Sequence, residues 1–151
     1  MNINDYYPDM IDLTPYKELR SGERSIHDAI DKTQVIPEKV IAYLRCGEPL
    51  LMAPGMYEHP FKAGVTLLGP YIYTDGKYFW DRDTWKYVVK YNVALPQAFI
   101  DRVMSEEGTR FIEQRIDSHE DWSDTIKTWK KKKGFICFLP DHAGEIALID
   151  F

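Results

Sequence analysis

The chain has 151 residues, 44% hydrophobic and 14% aromatic, a composition that supports one globular domain with a real core and excludes an intrinsically disordered chain. Its 24 acids against 19 bases leave a net charge of −5, which disfavours nucleic acid as a partner and suits a basic protein surface. No apolar run approaches the ~20 residues that span a bilayer, and the opening Met1-Asn2-Ile3-Asn4 lacks the basic start and apolar core of a secretory signal, so a cytoplasmic location is expected.

Residues 1–23 are polar and mixed and read as an N-terminal arm, with Tyr6, Tyr7, Met10, Ile11 and Leu13 laid against the body. Residues 25–33 suit a short helix, Ile26 and Ile30 being four apart. A clearer helix opens at Pro37, places Val40, Ile41 and Leu44 on one face, and stops near Gly47. Residues 49–55 are apolar but carry Pro49, Pro54 and Gly55, which predicts an edge strand or a turn. Residues 57–62 read as loop, and 65–68 as a strand ended by Gly69-Pro70.

Asp75-Gly76 lies between two aromatic, β-prone runs, the signature of a hairpin with a type I′ turn, which needs φ > 0 at both central positions. Alternation then yields to helical spacing around Trp85, Val88 and Val89. A second helix starts at Pro96, with Phe99 and Val103 on one face. Gly108 punctuates it, and Phe111, Ile112 and Ile116 suit a further helical turn or a strand. Ser118 with Asp121 forms a capping box for a helix carrying Trp122, Ile126 and Trp129. Apolar strands follow at 135–139 and 146–149, joined by a loop at 140–144. Strands and helices without a βαβ rhythm predict an α+β single domain over 1–151, with a small, mainly antiparallel sheet and several amphipathic helices.

The chemistry that motifs usually announce is missing. There is no Gly-x-Ser-x-Gly, no phosphate-cradling glycine loop, and no set of ligands at metal spacing, so no catalytic residue, metal or cofactor is assigned. His119-Glu120-Asp121 is explained by helix capping, because adjacent helical residues point about 100° apart and ligate poorly together. The lysines at 130–133 crowd the end of the Trp122 helix, where cations complement its dipole. Cys137 reads as a buried apolar thiol; a disulfide with Cys46 is not expected in the cytosol.

The block from Asp75-Gly76 through Trp80, Asp81-Arg82-Asp83 and Trp85-x-Tyr87-Val88-x-x-Tyr91-x-Val93-x-Leu95-Pro96-x-x-Phe99 resembles small immunity proteins of bacterial polymorphic-toxin systems, including contact-dependent growth inhibition. That resemblance covers about 30 residues of the 151 and implies a non-enzymatic inhibitor. Such a protein binds the C-terminal toxin domain of its own strain, often a basic nuclease, and occludes the active site. Two other readings stay open: a small cytoplasmic enzyme using carboxylate acid–base chemistry, and a generic protein-interaction module. A basic partner calls for grouped carboxylates beside an aromatic anchor. The expected contact residues are Asp117, Glu120, Asp121 and Asp124, with Asp81 and Asp83 at the hairpin exit beside Trp80.

Overall fold

A computed structural model describes residues 2–20, 22–117 and 151. The expected Trp122 helix and the strands at 135–139 and 146–149 lie outside the described residues. In chain order the elements are β1 (Ile11–Asp12), α1 (Glu38–Arg45), β2 (Glu48–Met52), β3 (Met56–Glu58), β4 (Thr66–Leu68), β5 (Tyr71–Thr74), β6 (Tyr78–Asp81), α2 (Thr84–Tyr91), α3 (Gln97–Met104) and α4 (Glu106–Asp117). Short 3-10 turns occupy Ile3–Asp5 and Ile26–Ala29. The fold is α+β.

A four-stranded sheet runs in the order β1-β6-β5-β2. β6 pairs antiparallel with β5 and parallel with β1, so the N-terminal arm closes one edge. The other edge is more than a short strand. β2 pairs with β5 from Glu48↔Thr74 to Met52↔Tyr71, with a register shift between Pro49 and Leu51. The pairing then carries on through Ala53 N–H to Pro70 C=O (3.1 Å) and Gly69 N–H to Gly55 C=O (2.9 Å). It ends in β3 and β4, where Met56 faces Leu68 and Glu58 faces Thr66. Residues 48–58 and 66–74 are therefore one long antiparallel ribbon, irregular where the prolines and glycines interrupt it. The loop expected at 57–62 begins only at His59, whose N–H closes the tip onto Val65 C=O at 2.7 Å.

The Asp75-Gly76 hairpin is present, but its turn differs from expectation. Gly76 has φ 94°, and Asn92 is the one non-glycine residue with positive φ among the described residues, so Asp75 does not take a type I′ position. Gly76-Lys77 forms the centre instead, flanked by Asp75 N–H to Tyr78 C=O at 3.2 Å; glycine at the first central position is what a type II′ turn requires. The cause is the Asp75 carboxylate. Its Oδ1 accepts the Lys77 and Tyr78 N–H groups at 2.9 and 2.7 Å. Its Oδ2 accepts the Tyr43 hydroxyl and the Arg102 Nε–H, the latter at 2.9 Å.

The helices pack on one face of the sheet. Tyr78 and Trp80 meet Tyr43 of α1 and Phe99 of α3 there, and the Trp80 indole N–H donates to Leu44 C=O at 2.9 Å. The opposite face is also covered, because Ile72 and Phe79 pack with Ile3, Met10, Leu50 and Leu51. A third cluster joins Tyr16, Ile26, Ala29, Tyr87, Val93 and Phe151 beside Phe61, Leu67 and Tyr91. The helix expected at 25–33 shrinks to a 3-10 turn. Glu18 competes for its start, accepting the Ser25 hydroxyl and, at 2.9 Å, the Ile26 N–H, while Ile30 leaves to bridge Val93. Helix α2 stops at Asn92, left-handed at φ 56°. α3 and α4 are separated by the extended residue Ser105. Gly108 does not end a helix; it lies in the first turn of α4, where a Cβ would sit 2.0 Å from Val103 O. Cys46 is disulfide-bonded, against the expectation of unpaired thiols.

Candidate functional site

Three of the expected contact residues are not on the surface. Trp80 is fully enclosed, and Asp81 and Asp83 are 3% and 5% exposed. The N-terminal arm covers the Phe79 face of β6 and the helices cover the Trp80 face, so the strand is buried on both sides. Asp117 is the last residue of α4, and Glu120, Asp121 and Asp124 lie outside the described residues. The acids and the aromatic anchor are thus not brought together as one exposed group among the described residues.

Asp81 belongs to a buried polar knot that fastens the arm. Arg20 Nη1 donates to its Oδ2 at 2.6 Å, and the Thr14 hydroxyl donates to the same oxygen at 2.9 Å. Arg20 Nη2 reaches Asp12, the Thr14 carbonyl at 3.0 Å and the Thr14 hydroxyl at 2.5 Å. The guanidinium also lies over the Phe79 ring, 5.4 Å from its centroid. Burial raises the Asp81 pKa from 3.8 to about 6, outweighing the opposite pull of Arg20 and Thr14. Asp83 is held differently: its Oδ1 is 3.0 Å from Lys86 Nζ, one turn into α2. This contact is an ion pair by distance without hydrogen-bond alignment.

A cleft of about 220 Å³ opens beside the knot, lined by Asp12, Arg20 and Phe79 with Asn2 and Asn4. A second, of about 410 Å³, lies at the ribbon tip among Glu18, His27, Glu58, His59 and Phe61. Among the described residues no group of three or more His, Cys, Asp or Glu side chains is placed to hold a metal ion. No described helix is long and apolar enough to cross a membrane.

The feature that stands out is the outer face of the ribbon, which the sequence reading missed. In β3 and β4 the inner residues are Tyr57 and Leu67: the Tyr57 hydroxyl lies 3.4 Å from that of Tyr87, and Leu67 packs on the Phe151 cluster. Their neighbours must point the other way. Met56 is 74% exposed and its cross-strand partner Leu68 61%; Met52, 55% exposed, pairs with Tyr71 on the other side of the proline–glycine interruption. Glu48 and Glu58 are exposed at the two ends of the same strand run. Large apolar side chains grouped this openly mark contact sites, and methionine adapts its shape to a partner. The signal was present in the sequence as Met52, Met56 and Leu68. It was hidden because Pro54, Gly55 and Gly69-Pro70 read as turns that end strands.

No protein-family model matches the chain, and no curated protein or solved structure is significantly similar to it.

Proposed function

We propose that this protein is a non-enzymatic binding protein of the immunity type, which neutralises a cognate bacterial toxin domain by covering its active site. The observation that carries the reading is the open apolar pair Met56 and Leu68 on the outer face of the ribbon, with Glu58 beside it and the exposed Met52 and Glu48 farther along the same strand run. An apolar centre with acidic flanks on a chain of net charge −5 fits a basic partner, the acids speeding encounter and the apolar groups holding the complex. The resemblance of the 75–99 block to immunity proteins points the same way, although its residues build scaffold rather than contact surface. The contact residues are accordingly the ribbon's, in place of Trp80, Asp81 and Asp83.

Asp81 favours a second reading, catalysis by a carboxylate, since a buried acid with a raised pKa beside a cleft is a recurrent active-site feature. The cleft wall is formed by Asp12 and Arg20. Asp81 does not line the cleft, and its Oδ2 is engaged by Thr14 and Arg20, so the arrangement suits a fastening better than proton transfer to a substrate.

A cytoplasmic residence belongs to the proposal and bears on Cys46, because cytosolic thiols are kept reduced. The fold must then persist without that disulfide. Co-expression with the C-terminal domain of a large secreted protein encoded immediately upstream tests the function. Restored growth and a stable complex on a sizing column are expected; continued growth arrest with no complex would remove the reading.

A further inference from the structure

We propose that His59 is an acid-operated clasp that holds the ribbon tip, residues 59–65, against α2 and releases it when the imidazole takes up a proton. The ring is 3% exposed and has one hydrogen bond, in which Nδ1 accepts the Phe61 N–H at 3.0 Å. Accepting that bond requires Nδ1 to be bare, so the neutral ring carries its hydrogen on Nε2. Nε2 is enclosed and has no hydrogen-bond partner among the described residues. Rings surround it: Phe151 at 4.4 Å between centroids, Tyr91 at 5.9 Å, Tyr87 at 6.3 Å and Phe61 at 6.4 Å.

A proton added to Nδ1 faces the Phe61 N–H with a donor, so the bond that sets the start of the tip is lost. The new charge also sits in an aromatic enclosure with its second N–H unsatisfied. Phe61 is the residue that this bond positions, and its ring stacks on Tyr91 at 4.1 Å, 7° from parallel. The 410 Å³ cleft that His59 and Phe61 both line gives the tip room to move and water to reach the imidazolium. The His59 N–H to Val65 C=O bond does not involve the ring, so the tip swings as a closed loop.

The charges around the ring make uptake harder at neutral pH. Burial lowers the His59 pKa below 6.5 and Lys62 and Lys90 add to this, while the Phe151 backbone and Asp83 oppose it. The Phe151 backbone is near Nε2 but outside hydrogen-bond geometry. Lys86, also on α2, lies over the Phe151 ring at 4.9 Å, and His27 meets the far side of Phe61 at 4.8 Å. Glu58 and Glu18 line the same cleft as the ring; Glu58 accepts the Gly64 N–H at 3.4 Å, Glu18 accepts from Ser25 and Ile26, and neither is among the groups that shift His59. The clasp is therefore closed above about pH 6.5 and opens as pH falls through the lowered value.

Hydrogen exchange on the full chain, between about pH 7.5 and about pH 5 and corrected for intrinsic rates, tests this. Protection of the Phe61 amide should fall at least tenfold on acidification relative to β6. His59→Gln, whose side-chain oxygen accepts the same N–H without titrating, should reduce that fall to about twofold or less, and His27→Gln should leave it unchanged. An equal fall in His59→Gln, or no fall in the unmodified protein, would overturn the clasp. An NMR titration of the His59 ring in the unmodified protein covers the case in which the variant does not fold. A midpoint coinciding with loss of Phe61 protection is expected, and titration at or above 6.5 with Phe61 still protected would overturn it.

Discussion

Single carboxylates fix where the arm and the hairpin go. Asp75 shows the cost of such a position: its side chain is fully enclosed and answers four donors from three elements. Replacing it with alanine leaves Arg102 and the Tyr43 hydroxyl without their acceptor, so Asp75→Ala should lose about 3–5 kcal/mol in urea unfolding. Asp81 makes a different, pH-dependent prediction. Its folded pKa of about 6 lies above its ordinary 3.8, so its contribution is fully present below about pH 3.8 and is lost as pH rises through about 6. Relative to Asp81→Asn, the native protein should therefore gain stability between about pH 6 and about pH 4, by at most ~3 kcal/mol. Urea midpoints measured across that range check it; parallel pH profiles for the two proteins would contradict it.

Among the elements, those with a strong local period were legible in the sequence. The strands around Asp75-Gly76, the helices around Trp85 and Phe99, and the helix after Pro37 all occur, with Pro37 and Pro96 capping rather than opening their helices. Elements fixed by distant partners were not. β1 is two residues long and exists because it pairs with β6 across more than sixty positions, a contact with no local pattern. The same arm buries Asp81 by means of Arg20, 61 residues away, so an acid that reads as exposed in the chain is enclosed in the fold. The ribbon was missed because Pro54, Gly55 and Gly69-Pro70 are turn signals, and here they interrupt a ladder without ending it. Gly108 belongs to this scale too. With a Cβ it would collide with the Val103 carbonyl across the α3–α4 corner, so Gly108→Ala should destabilise by about 1–3 kcal/mol despite alanine's better helix propensity. A thermal shift upward would mean that the corner yields without strain.

The molecule as a whole separates its aromatic residues from its most exposed apolar ones. Trp80, Tyr43, Phe99, Phe61 and Tyr91 are spent on packing against one another, and the large apolar groups left open on the ribbon are two methionines and a leucine. The proposed residence in a reducing cytoplasm would require the packed residues to hold the fold when the Cys46 disulfide is opened. Reduction with dithiothreitol should accordingly lower the melting midpoint without abolishing the cooperative transition, and loss of that transition would argue for an oxidising compartment. The central proposal, that the ribbon's outer face binds a toxin, is tested most directly by the affinity of Met56→Asp/Leu68→Asp for the partner domain that the co-expression test identifies. Both side chains are solvent-facing, so the double variant should keep its circular dichroism and melting point. It should bind at least about 100-fold more weakly than the native protein, the equivalent of ~2.7 kcal/mol. A folded double variant that binds and protects as the native protein does would contradict the account.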